Sequence, residues 1–300
     1  MIYKEQIAHV EKGLLVRAPA KINLTLLIAG KRPDGFHEIE TIMAKVNWYD
    51  EIFIEKAETG GIELVCKGHY WAPEGSDNLV YKAADMFLEN IGLKEPVKIT
   101  LTKNIPAGTG LGSASSDAAA TLIGLNDFFK TGLAIESLSK MAAALGSDVA
   151  FFLNGPLAFC MGKGEKIKKI TKIFNFLALL ILPSISVSTK KVYENYRHDK
   201  ILYEHLKMQI NEKIQKNRID LALKVCANML ESACFGLNKE LAEIKEKVNN
   251  LNIGHCCLSG SGSAFFCVLE SGDESIAKEY QGIIEETIGC KCTIVSNNRW

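Results

Sequence analysis

The sequence predicts an α+β fold of two lobes sharing a cleft, and three observations carry that prediction. Strand-like and helix-like segments mix without the strict strand–helix–strand rhythm of a doubly wound sheet. The 300 residues, 47% of them hydrophobic, exceed what one small core needs. Near Gly162-Lys-Gly164 the pattern changes from short strands to a long helical stretch, so the lobes are expected at 1–160 and 161–300.

Residues 13–28 are rich in leucine and β-branched types and read as strands interrupted at Pro19. Lys31-Arg-Pro-Asp-Gly-Phe-His37 carries turn signals and reads as a loop. Residues 41–55 and 62–66 read as strands, and Ser76-Asp-Asn78 as a helix cap before an apolar helical run through Phe87. Residues 97–101 form a strand leading to a Gly/Ser-rich loop, and 115–129 a strong helix with an alanine run. A further helix is predicted over 135–144, then short strands over 151–160 and 163–173. Phe176–Leu182, the longest apolar run, reads as a buried strand, since it is far too short to span a bilayer. Residues 190–249 are helical in pattern, and 257–269 and 292–296 close the chain as strands around Ser259-Gly-Ser-Gly-Ser263.

Lys+Arg and Asp+Glu both number 35, so no global field draws nucleic acid or a membrane surface, and an anionic ligand needs a local site. The start of the chain has no apolar signal region, and the nine cysteines, two of them adjacent, do not form a disulfide-framework pattern. Reduced thiols in a cytoplasmic protein are expected. His255-Cys256-Cys257 and Cys66 with His69 lack paired metal-ligand spacing, and the basic stretch 207–218 is interleaved with acidic and apolar residues, as on a solvated face.

Pro106-Ala-Gly-Thr-Gly-Leu-Gly-Ser-Ala-Ser-Ser-Asp117 packs three glycines and four hydroxyl-bearing residues ahead of a helix. Glycines let the backbone approach a ligand, and the following helix offers unpaired amides and a positive dipole end. No Gly-Lys-Ser/Thr follows, so this is not a Walker loop, and Gly112 comes one position early for the dinucleotide fingerprint. Alone, the segment fits a phosphate cradle or a plain helix-entry loop.

Pro106, Gly110-Leu-Gly-Ser113 and Ser115 before the alanine-rich helix resemble the phosphate motif of the GHMP small-molecule kinase superfamily. Ala18-Pro-Ala-Lys-Ile-Asn23, Arg32-Pro-Asp-Gly-Phe-His37, Gly146-Ser-Asp-Val149 with Gly162-Lys-Gly-Glu165, and Ser259-Gly-Ser-Gly262 resemble, in order, the motifs of its 4-diphosphocytidyl-2-C-methyl-D-erythritol kinase branch. The resemblance implies ATP and Mg²⁺ as cofactors and a cytidine diphosphate methylerythritol as small-molecule partner, with no nucleic acid or membrane.

The resemblance also implies roles. Asp148 matches the general base and Lys21 the cation that orients it. From the residues alone, Asp148 fits a turn or cap aspartate equally well, and Lys21 a solvated strand face. ATP phosphates would lie along Pro106, Ala107, Gly108, Thr109, Gly110, Leu111, Gly112, Ser113, Ala114, Ser115 and Ser116, with Ser116 a candidate Mg²⁺ ligand. Asn78 and Lys103 match residues on the adenine and ribose side, though Asn78 also fits a simple cap. Asn23, Phe36, His37, Thr189 and Tyr193 match the substrate side, where two aromatic faces sandwich a pyrimidine and His37 reads its edge.

Two departures stand out. Gly112-Ser-Ala-Ser-Ser116 replaces the branch's glycine run, and Ala150 stands where proline usually follows. Both drift toward sister kinases of the mevalonate or homoserine type. Phe36, His37 and Tyr193 argue against those, whose acceptors carry no base to stack. A non-catalytic nucleotide-binding regulator of the same fold is a third reading, against which the presence of both Lys21 and Asp148 argues.

Overall fold

Two β-sheets organise the chain in a computed structural model that describes residues 5–58, 60–171, 175–216, 225–269 and 272–300. The first sheet has β1 (Ile7–Val10), β2 (Gly13–Lys31), β3 (His37–Lys56), β4 (Ile62–Gly68) and β5 (Val97–Lys103) in the order β1-β2-β3-β5-β4. β6 (Leu157–Gly162) pairs with β3 and with β7 (Lys166–Lys169), and the short β9 (Ala227–Asn228) pairs with β2. The second sheet is antiparallel: β10 (Gly254–Leu258), β11 (Phe265–Leu269), β8 (Leu177–Leu182) and β12 (Lys291–Ser296) in that order.

β2 and β3, 19 and 20 residues long, form the spine. Pro19, expected to interrupt the strand, is instead carried through it. Register shifts between Pro19 and Ala20, because proline gives no ladder donor and a bulge absorbs the irregularity. On one side of this point Leu14, Val16 and Ala18 pack into the core of the first lobe. On the other, Ala20, Ile22, Leu24 and Leu26 pack with Leu179, Leu258 and Phe265 of the second. Lys21 therefore stands where β2 passes from one core to the other.

Among the described residues the α-helices with given bounds are α1 (Leu79–Ile91), α2 (Ser113–Phe128), α3 (Ile135–Leu145), α4 (Val149–Phe152), α5 (Thr189–Asn195), α6 (Lys200–Gln215), α7 (Glu231–Leu237), α8 (Lys239–Asn250) and α9 (Glu274–Thr287). α2 is buried over most of its length because Ala118–Ala120 and Gly124 let it lie close on the sheet. A Cβ at Gly124 would come within 2.9 Å of Ile54 and Val16 side chains. β8 is buried at every residue between two neighbours, as its unbroken apolar run predicts.

The strand expected from residue 151 is corrected. Val149–Phe152 is one turn of helix with all four residues buried, and β6 begins only at Leu157. Burying Phe151 and Phe152 is worth about 1.5–3 kcal/mol each and fastens this turn beneath α2. Of the strand expected over 163–173, β7 holds four residues, and 172–174 lie outside the described residues. The expected boundary at 160/161 lies inside β6, and the chain leaves the first sheet after Lys169. All nine cysteines are free thiols, and no described helix is long and apolar enough to cross a membrane.

Candidate active site

The loop between β5 and α2 is held in place from three directions. Gly110, at φ 81°, is so close to the second lobe that a Cβ would lie 2.0 Å from Ser259 O. Gly112, at φ 71°, has no room either, since a Cβ would lie 2.9 Å from both Lys21 Cγ and Phe152 Cζ. Ser259 Oγ donates to Gly110 O at 3.0 Å, and Ala264 N donates to Thr109 O at 3.0 Å. Leu111 is buried as an anchor, and its carbonyl accepts from Lys21 N at 2.9 Å. Gly108 stays open, with nothing within 4 Å of a built Cβ. α2 begins after Gly112 without a side-chain cap, which leaves its first-turn amides for an anion.

Beneath the loop lies a sealed ionic cluster. Lys103 Nζ is 2.5 Å from Asp50 Oδ2 and 2.7 Å from Asp117 Oδ2, and it also bonds Ser113 Oγ. Asp50 Oδ1 accepts from Asn104 N and Ile105 N at 2.6 and 2.8 Å. Burial lowers the Lys103 pKa, but Asp117 and Asp50 outweigh it and the net shift is upward. Burial drives the Asp117 carboxyl well above its ordinary range, and Lys103 offsets part of that.

The expectation that Lys103 lines the adenine side is thus corrected: the residue is 1% exposed and its ammonium is committed to two carboxylates that brace the loop. Of the two readings open for Asn78, the structure shows the cap. Its Oδ1 accepts from Val80 N at 2.8 Å and its Nδ2 donates to Pro73 O at 2.7 Å, so both ends of the amide serve the cap of α1.

In front of the loop stands the pair. Lys21 Nζ lies 3.6 Å from Asp148 Oδ2 and donates to Asn23 Oδ1 at 2.5 Å. Asn23 Nδ2 donates to Thr41 Oγ1 at 2.9 Å, which in turn donates to Thr25 O. Asn23 is therefore buried behind Lys21 and fixes its ammonium. Burial lowers the Lys21 pKa, with the nearby Asp148 pulling the other way. The Lys21 side chain is 4% exposed whereas Asp148 is 32% exposed. The carboxylate alone opens to a ligand. Asp148 caps no amide with its side chain, which removes the reading as a plain helix cap. The turn at Gly164 borders it, with a built Cβ 3.5 Å from Asp148 Oδ1.

The aromatic residues gather on the other flank. His37 packs on Tyr193 at 5.3 Å between ring centroids and meets Tyr196 edge-on at 5.7 Å. His37 is lowered by burial and by Lys31 and His198, which keeps it neutral for pairing with a polar edge. Tyr193 is raised by burial and then by the charge of Asp148, so this flank adjoins the pair. Thr189 shares a helix face with Tyr193, and its Oγ1 is 2.8 Å from Ser261 Oγ of the loop after β10. Phe36 is 54% exposed, with Lys163 Nζ 4.0 Å over its ring.

Sequence reasoning missed Lys163, Tyr196 and Thr41. Lys163 sits between two glycines, and Tyr196 follows Tyr193 by three residues; both were visible signals. Thr41 acts across strands and left no local sign. Among the described residues no group of three or more His, Cys, Asp or Glu could hold a metal.

Comparison with known proteins gives the same picture. Models of the GHMP kinases N terminal domain and the GHMP kinases C terminal match residues 78–156 and 210–281. The chain is 36% identical over 270 residues to a 4-diphosphocytidyl-2-C-methyl-D-erythritol kinase of Geobacillus sp. (strain WCH70), covering 90% of this chain and 92% of that one. It is 35% identical to the enzyme of the same name from Listeria innocua serovar 6a, covering 90% and 93%. A crystal structure of 4-(cytidine 5'-diphospho)-2C-methyl-D-erythritol kinase aligns with TM-score 0.76 at 30% identity, covering 95% of this chain and all of that one. A mevalonate kinase of L. major aligns with TM-score 0.73 at 17% identity, covering 98% and 97%, and shows the shared fold alone. The chain belongs to the 4-diphosphocytidyl-2-C-methyl-D-erythritol kinase family of the GHMP kinases.

Proposed function

We propose that this protein transfers the γ-phosphoryl group of ATP to the C2 hydroxyl of 4-diphosphocytidyl-2-C-methyl-D-erythritol, a step of non-mevalonate isoprenoid precursor synthesis in the cytoplasm. The observation that carries the reading is the Lys21–Asp148 pair, set between an uncapped glycine loop and an aromatic–histidine flank.

The residues fit the groups this reaction needs. The crowded glycines at 110 and 112 and the uncapped first turn of α2 suit a polyphosphate. Ser116 Oγ is buried with no hydrogen-bond partner among the described residues, so it would be the ligand this chain offers to Mg²⁺. When bound, Mg²⁺ neutralises charge on the transferred group.

The chain's own residues do the rest. Asp148 receives the proton of the acceptor hydroxyl on its open oxygen, which sharpens the nucleophile as it attacks. Lys21 holds that carboxylate in place, and Asn23 and Thr41 hold Lys21. His37, Tyr193 and Phe36 take the cytosine, and Lys163 supplies a cation at the same mouth for the ribose or diphosphate. The Ser259–Ser263 loop ties phosphate loop to α5, so both ligands meet one rigid frame. Positioning and electrostatics dominate such transfers.

Assaying ATP consumption with a panel of alcohols tests the reading. Turnover is expected with the diphosphocytidyl substrate; turnover with mevalonate or homoserine in its place would overturn the substrate assignment.

A further inference from the structure

Lys45 is a buried lysine that the mechanism above does not use. It lies on β3 directly across from Lys21 on β2 in the sheet register. It is 1% exposed, and its ammonium donates to Phe152 O at 3.0 Å and Asn154 O at 2.7 Å. Both partners are backbone carbonyls at the end of the helical turn that begins at Asp148. Residues after a helix leave carbonyls without intrahelical donors, and a lysine can satisfy them. A buried ammonium without a carboxylate is nonetheless costly, and an apolar side chain of that size would fill the space more cheaply. The site therefore asks for a reason other than stability.

The geometry points to one. We propose that Lys45 is a positioning residue for Asp148, holding the far end of the 148–154 segment whose near end Lys21 holds. The segment between is tied internally. Phe151 N donates to Asp148 O at 3.2 Å, Asn154 N to Phe151 O at 2.9 Å, and Asn154 Nδ2 to Ala150 O at 2.7 Å. Lys45 N also donates to Pro156 O at 2.8 Å, which fixes the exit of the segment to the same strand. Two lysines in cross-strand register thus hold the two ends of one short segment, with the reacting carboxylate at one of them.

The surroundings of Lys45 keep this contact shut. Trp300 stacks on Tyr49 at 5.6 Å and brings its ring within 6.0 Å of Lys45 Nζ, and Asn298 N donates to Lys45 O at 2.9 Å. Burial lowers the lysine to about 7, and the like charge of Lys169 on β7 adds to the shift. Either protonation state keeps two N–H donors for the two carbonyls.

The proposal rests on Asp148 receiving the hydroxyl proton, and the test separates the two claims. Wild type, Lys45→Met and Lys45→Gln are compared by hydrogen exchange across 148–154 and by kcat and KM for ATP and the diphosphocytidyl substrate. Lys45→Met is expected to speed exchange in that segment about tenfold, with the strands of the second sheet unchanged. Its kcat should fall about tenfold, with KM for ATP held within about twofold, since small misplacements of a reacting group act on the chemical step. Lys45→Gln keeps two donors on a shorter stem and should fall between; it decides the case if the Met variant does not fold.

Unchanged exchange across 148–154 would overturn the clamp. Loosened exchange with kcat within twofold of wild type, or kcat falling in step with ATP affinity, would overturn its role in positioning. If wild type does not turn over the diphosphocytidyl substrate, the functional reading fails, and the exchange arm alone still decides the clamp.

Discussion

Two buried lysines flank the phosphate loop, and the contrast between them separates chemistry from support. Lys103 is enclosed with Asp50 and Asp117, all three shielded from solvent, and the carboxylates win over burial so that its pKa rises. Lys21 is equally buried but meets one carboxylate at a longer distance, and burial wins. Its partner Asp148 is a third exposed, beside an aromatic flank that can take a base. The residue types are the same in both clusters. What differs is whether a carboxylate is left facing outward. A sealed cluster braces; a pair with one open oxygen is free to react.

The largest effect should come from the open pair. Asp148→Asn is expected to lower kcat by about 10²–10⁴-fold, the range of a general base, while ATP binding is spared. Because the pair is partly exposed, melting should change by no more than about 1 kcal/mol. Equal losses of stability and turnover would erase the contrast. Lys103→Met should do the reverse, destabilising by about 3 kcal/mol in denaturant unfolding because two buried carboxylates lose their cation. A stability change near zero there would show that the lower cluster is not a brace.

The flanks sharpen the comparison. Tyr193→Leu should raise KM for the diphosphocytidyl substrate about tenfold, in line with about 1–3 kcal/mol for a stacked base, and leave KM for ATP unchanged. Parallel loss for both ligands would place Tyr193 in the fold rather than in the substrate site. Asn78→Ala should cost about 1 kcal/mol, as for a lost helix cap, with little effect on KM for ATP. A large rise in that KM would restore Asn78 to the adenine side.

The last effect is one of pH. Lys45 is lowered to about 7 when folded, from 10.5. Between those values the unfolded chain binds the additional proton, so stability from this group grows as pH rises through the window and its full penalty applies below it. The stability of wild type relative to Lys45→Met should therefore increase from about pH 6 to about pH 9. A difference independent of pH would mean that Lys45 titrates as an exposed lysine.

Much of this could be read in the chain, and the gaps have physical causes. The α+β class, the helix after the phosphate loop and the buried strand at 177–182 follow from local periodicity and composition, which the structure keeps. Asp148 and Lys21 stood out as charges in apolar surroundings, and the family resemblance supplied their roles. Lys103 was misread because its partner Asp50 lies 53 residues earlier on another strand, a pairing that no local pattern records. Lys45, in Met43-Ala-Lys-Val46, looks like any strand lysine until the turn at 149–152 is placed over it. That turn was itself misread as strand, since two phenylalanines in sequence fit a buried strand and a buried helical turn alike.

Product analysis tests the open pair most directly. Wild type and Asp148→Asn are incubated with ATP, Mg²⁺ and 4-diphosphocytidyl-2-C-methyl-D-erythritol, and the products followed by phosphorus NMR. Wild type should give ADP and a new phosphomonoester signal coupled to the erythritol C2 position, with no such signal from Asp148→Asn on the same timescale. A phosphomonoester formed by Asp148→Asn at the wild-type rate would contradict the division between a reacting pair and a bracing one.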